Sequence, residues 1–188
     1  GCNFTCLHCQ NHTLSQEFRR DAVWAEPEDI VNAALQSKAQ SISFTYNEPT
    51  VFYEFMYDVS RLAKSAGLKT AVITNGYMTE EAVRDISPYM DAFRIDLKAF
   101  SDSFYKTVCG GARLEPVLDA VKLVSELKKH LELVTLIIPG MNDSKDEISS
   151  MLSWEIENLG VFVPHHFTAF TPMYEMRDRR AAGHADVD

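Results

Sequence analysis

A parallel α/β fold is predicted by two features of this 188-residue sequence. Short β-branched or aromatic runs alternate with helical patterns about once every 25 to 35 residues, the pace of successive βαβ units. The residues that follow the predicted strands are rich in amides, carboxylates and Pro-Gly turns, as expected where ligands bind at the carboxyl ends of parallel strands. Two architectures satisfy both features: a doubly wound open sheet, and a full or partial (β/α) barrel.

Five strands are expected, over residues 41–46, 69–74, 92–98, 131–138 and 161–170, separated by helices over 27–38, 50–66, 80–89, 116–130 and 145–159. Pro27 opens the first helix at a position where its missing N–H costs nothing. In the second, Val51, Phe52, Phe55, Met56, Val59, Leu62 and Ala63 recur at the helical period, and Gly67 supplies a C-terminal stop. Ser144 and Glu147 read as a capping box for the last helix, with Ile148, Met151, Leu152 and Ile156 as its apolar stripe and Gly160 as its end. These stripes are core packing. Residues 1–176 read as one domain, and the polar stretch 177–188 reads as a loosely held tail or a truncated element.

Chemistry gathers at the strand ends. The first strand closes on Tyr46-Asn47-Glu48-Pro49, where Asn47 and Glu48 either hold an ammonium group or serve as helix cap and first-turn carboxylate. The second closes on Thr74-Asn75-Gly76, a tight turn whose polar groups face the same mouth. In Asp96-Leu97-Lys98 the two-residue period turns Asp96 and Lys98 to one face of the sheet and Leu97 to the other. That pair is either a structural ion pair or a carboxylate for ribose hydroxyls beside an ammonium for a carboxylate. Ile138-Pro139-Gly140 lets backbone approach a ligand closely, and the last strand brings His166, either packed or ligand-binding.

Composition sets the class. The chain is 46% hydrophobic and 24% charged, and no apolar run reaches the ~18 residues of a membrane span. A net charge of -9 opposes phosphate tracking, so neither nucleic acid nor membrane is an expected partner. Of four cysteines, Cys2, Cys6 and Cys9 crowd into the first nine residues as C-x3-C-x2-C. Crowding of this kind points to reduced thiolates that bind metal in a cytoplasmic setting rather than to a disulfide framework. Three soft ligands in one loop leave one metal position open for substrate chemistry. Two blander readings are a buried helix face and a zinc tetrahedron completed by His8 or His12.

Taken in order, the cysteine loop, Tyr46-Asn47-Glu48-Pro49, Thr74-Asn75-Gly76, Asp96-Leu97-Lys98, Phe104-Tyr105 through Cys109-Gly110-Gly111, and Ile138-Pro139-Gly140 resemble the radical S-adenosylmethionine (SAM) superfamily. The similarity is greatest to its branch of pyruvate formate-lyase activating enzyme-related and AmmeMemoRadiSam-type proteins.

The resemblance implies a partial (β/α)6 TIM-like barrel of parallel strands that lacks its first strand here. It implies a [4Fe-4S] cluster on Cys2, Cys6 and Cys9, with SAM on the fourth iron. Asn47 and Glu48 then match the segment for the methionine ammonium, Asp96 the ribose carboxylate, and Lys98 the lysine near the methionine carboxylate. His8 matches the cluster-loop position whose backbone meets adenine, while Asn75 and His166 line the same cofactor site. Thr171 stands where relatives often carry histidine. The implied activity is reductive cleavage of SAM to methionine and a 5′-deoxyadenosyl radical that abstracts hydrogen, with a glycyl residue of a partner protein as one implied donor. The implied partners are a flavodoxin- or ferredoxin-type reductant and a protein or peptide substrate. The alternatives are a non-catalytic iron-sulfur or zinc module, and an acid/base enzyme that uses Asp96 and Lys98 without a cluster.

Overall fold

The computed structural model describes residues 1–17 and 23–187, apart from the side chains of His184 and Val187. Its five strands are β1 (Ser41–Phe44), β2 (Lys69–Thr74), β3 (Ala92–Asp96), β4 (His130–Ile137) and β5 (His165–Ala169). All neighbouring pairs are parallel, and the spatial order β1-β2-β3-β4-β5 repeats the chain order. A doubly wound sheet would reverse its order at a switch point, so a sheet that never reverses is an arc of a (β/α) barrel. The arc is open, with β1 and β5 as its edges.

The principal helices are α2 (Pro27–Gln36), α3 (Tyr53–Ser65), α4 (Glu80–Ile86), α6 (Glu115–Glu126) and α7 (Lys145–Leu159); three short ones are α1 (His12–Ser15), α5 (Asp102–Val108) and α8 (His184–Val187). Capping fixes where they start. Thr79, Ser101 and Ser144 each accept a hydrogen bond from a backbone N–H in the first turn of α4, α5 and α7. The Ser144 box closes on one side only, because Glu147 accepts from the Phe100 backbone N–H at 2.7 Å and so ties α7 to the loop after β3. The core lies between sheet and helices, where Met56, Val59, Ile86, Phe93, Ile95, Leu97, Leu133 and Met151 are buried to 1% exposure or less.

Two expectations need correction. Residues 127–130 do not extend the preceding helix: α6 stops at Glu126, and His130 already pairs with Ala92 as the first residue of β4. The last strand starts at His165 rather than at 161, since Pro164 cannot donate to a ladder, and Val161 and Phe162 are left 69% and 94% exposed. After residue 176, Ala182 donates its N–H to the Phe170 carbonyl at 2.9 Å, and Arg180 pairs with Asp186 at 2.7 Å.

Candidate functional site

Residues expected at the site line a single cleft of about 210 Å³, bounded by the cysteine loop and by the carboxyl ends of β1, β2 and β3. Cys2, Cys6, His8, Cys9, Asn47, Glu48, Asn75, Asp96 and Lys98 all border it. His166 does not. It sits at the amino end of β5, half exposed, with Nε2 3.1 Å from Glu132 Oε2, because the strand starts four residues later than its aromatic and β-branched run suggested.

The cleft wall is built from strand ends. Glu48, 1% exposed, accepts from Thr50 N (3.1 Å), Thr50 Oγ1 (2.7 Å), Thr74 Oγ1 (2.6 Å) and Asn75 N (2.7 Å). It is therefore Glu48, not Asn47, that caps the helical turn after β1, while its carboxylate also locks the end of β1 to the end of β2. Asn75 carries this order into the cysteine loop by donating to Asn3 Oδ1 at 2.7 Å, with Cys2 Sγ 3.8 Å from the same amide nitrogen. Asp96 and Lys98 do share one side, joined at 2.7 Å, and Leu97 is fully buried on the other.

Electrostatics distinguish these groups. Burial pulls the Lys98 ammonium toward neutrality, but Asp96 and the Cys6 sulfur outweigh it and hold its pKa raised. Burial, aided by the Lys98 charge, drives His8 down to about 3, so this imidazole is neutral. Cys2 is raised by burial, whereas Cys6 is lowered, first by a hydrogen bond from Cys109 that outweighs burial and then by Lys98.

Unsatisfied polar atoms concentrate here. Among the described residues, buried side-chain nitrogen or oxygen atoms without a hydrogen-bond partner occur in His8, His12, Asn47 and Asp96, and three of those four residues line the cleft. Orphaned buried polar atoms cost free energy unless a ligand completes them. The donor set also bears on which group fits. All four cysteines are free, and no three His, Cys, Asp or Glu among the described residues converge as a single ion requires. Thiolates that each grip a different corner of a cubane need no such convergence, so the loop fits a cluster better than a zinc tetrahedron.

The Radical SAM superfamily model matches residues 1–152. The chain belongs to the radical SAM superfamily. It is 43% identical over 180 residues to an uncharacterised protein of Methanocaldococcus jannaschii, covering 95% of this chain and 53% of that protein. It is 25% identical over 157 residues to a pyruvate formate-lyase-activating enzyme of Clostridium pasteurianum, covering 80% of this chain and 64% of the relative. The radical SAM chain thus spans about half to two thirds of these relatives' length. Among solved structures, native anSMEcpe with bound AdoMet superposes with a TM-score of 0.69 at 17% identity, over 93% of this chain and 50% of that one. That likeness fixes the fold as a partial radical SAM barrel. No helix among the described residues is long and apolar enough to cross a membrane.

Sequence reasoning missed Arg94, which also lines the cleft and is 46% exposed, its nearest carboxylate oxygen 3.8 Å away on Asp96. The alternation that paired Asp96 with Lys98 extends to it, two residues back on the same strand. It also missed α5, whose buried Phe104, Tyr105 and Val108 underlie the cysteine loop.

Proposed function

We propose that this protein binds a [4Fe-4S] cluster through Cys2, Cys6 and Cys9 and cleaves SAM reductively in the adjoining cleft. The observation that carries the reading is convergence: the three thiols and three of the four residues with orphaned polar atoms meet in one cavity at the strand ends. When bound, cluster and SAM supply one-electron cleavage of the S–C5′ bond to methionine and a 5′-deoxyadenosyl radical that takes hydrogen from a substrate.

The chain's own residues position and shield. Asn47, whose amide oxygen and nitrogen are both buried and unpartnered, offers an acceptor to the methionine ammonium. Glu48 holds that segment in place and adds negative charge nearby. Asp96 has one carboxylate oxygen without a hydrogen-bond partner, which would take ribose hydroxyls, while its other oxygen holds Lys98, whose ammonium would meet the methionine carboxylate. His8 and Asn75, 5% exposed each, complete the wall on the cysteine side. His166 is left out of the cofactor site. The electron comes from a flavodoxin- or ferredoxin-type donor, and the hydrogen from a protein or peptide. The name of the Clostridium relative, an enzyme that activates another enzyme, supports a protein substrate.

The test is anaerobic reconstitution with iron and sulfide, followed by dithionite and SAM. Methionine and 5′-deoxyadenosine are expected in equal amounts. A protein that holds four irons per chain and yields neither product refutes the catalytic reading in favour of a non-catalytic iron-sulfur module, and one tightly held zinc refutes the cluster itself.

A further inference from the structure

The cysteine loop does not stand alone. The Leu7 backbone N–H donates to the Val108 carbonyl at 2.9 Å. Opposite Thr5 lies Gly110, at φ +77°, where a Cβ would come within 2.0 Å of Thr5 Oγ1 and 2.9 Å of the Thr5 backbone nitrogen. The end of α5 and the turn after it thus meet the cysteine loop at two points, Val108 against Leu7 and Gly110 against Thr5, and Cys109 and Cys6 each lie between those two contacts. Cys109 is fully buried and Cys6 is 9% exposed. The rest of the seat is equally specific: the Phe4 and Tyr105 rings meet edge to face at 6.2 Å, and the Tyr105 hydroxyl accepts from the Lys98 backbone N–H at 3.1 Å.

We infer that Cys109 is a positioning residue for the cluster, its thiol donating a hydrogen bond to the Cys6 sulfur and thereby setting the reduction potential. The inference rests on the reading of Cys2, Cys6 and Cys9 as cluster ligands. An S–H group is a weak donor, and a thiolate is the acceptor that makes most of it. A hydrogen bond to a ligating sulfur stabilises the more negative, reduced cluster over the oxidised one, so it moves the potential upward. Burial excludes water, which would otherwise compete for the same sulfur. A merely packed thiol would fill the same space without any effect on the potential. Gly110 is what permits the approach, since no other residue leaves room beside Thr5.

The experiment compares the full chain with Cys109→Ala and Cys109→Ser, all reconstituted anaerobically. Iron and sulfide are assayed, the cluster midpoint is titrated by electron paramagnetic resonance, and exchangeable deuterons near the reduced cluster are read by pulsed resonance in deuterated buffer. Cys109→Ala is expected to keep the wild-type iron content, to shift the midpoint to more negative potential, and to lose one exchangeable coupling. Cys109→Ser, which keeps a donor, is expected to return part of both. An alanine variant with wild-type midpoint and coupling overturns the inference and leaves the cluster reading intact. Should the alanine variant fail to load, the wild-type coupling decides, since its absence from the wild-type cluster overturns the inference. A wild-type chain that takes up no cubane overturns both.

Discussion

The two ends of the same parallel sheet treat polar groups in opposite ways. At the amino end, Asp91 accepts from Lys64 Nζ (2.8 Å), Lys69 Nζ (3.4 Å) and the Thr70 backbone N–H (2.9 Å), and further along β4 Glu132 is shared by His130 (2.9 Å) and His166 (3.1 Å). Every one of these partners is within the chain. At the carboxyl end, Asn47, His8 and one oxygen of Asp96 are buried with none. A carboxylate saturated by its own protein contributes to stability; a buried group left waiting marks where a ligand goes. Fold class alone predicts ligands at the carboxyl end, and the hydrogen-bond inventory reaches the same place independently.

The largest effect should come from breaking the carboxyl end. Cys6→Ala removes one of three thiolates, and loss of a ligand exceeds the 10- to 100-fold typical of outer-shell changes, so 5′-deoxyadenosine formation should fall by more than about 100-fold. Iron content and the product assay measure it.

Glu48 tests whether any carboxyl-end group is structural as well. Three of its donors reach Oε1 and would keep an amide oxygen, but the buried Asn75 N–H aimed at Oε2 would meet an NH2 group, so Glu48→Gln should destabilise by about 1 to 3 kcal/mol in urea unfolding. Full stability in that variant would place Glu48 with the waiting groups rather than with the saturated ones.

At the opposite end, burial pushes the Asp91 carboxyl up, but Lys64, the Thr70 N–H and Lys69 outweigh it and hold it down at about 2. A folded value below the unfolded one gives stability that is complete above about pH 4 and lost as pH falls from about 4 to 2. Asp91→Asn should cost about 1 to 2 kcal/mol at pH 7, allowing for solvent screening at this partly exposed site, and flatten the acid limb of a pH-stability profile. Cluster loading should not change.

Much of this contrast was legible from the chain, though unevenly. The strand ends were readable because turn chemistry and two-residue alternation are local: Asp96, Leu97 and Lys98 point where their spacing says. The start of β5 misled, since Val161 and Phe162 look like strand residues until Pro164 is weighed. α5 is seven residues long and its clearest local signal was the Ser101 cap. The meeting of Asn47 and His8 in one cleft, and the approach of Val108 and Gly110 to the cysteine loop, join residues some forty to a hundred positions apart, and no window along the sequence contains both.

The smallest effect sharpens the comparison most. His166 belongs to the saturated end: its imidazole is half exposed and shares Glu132 with His130, an arrangement that solvent screens at all three side chains. His166→Ala should therefore change stability by less than about 0.5 kcal/mol and leave SAM affinity at the wild-type value in equilibrium dialysis. A several-fold loss of SAM affinity in this variant would mean that the cleft extends along the row of Asp96, Val134 and His166 to the edge strand. The division between a saturated base and a waiting rim would then fail at its weakest point, the exposed edge of β5.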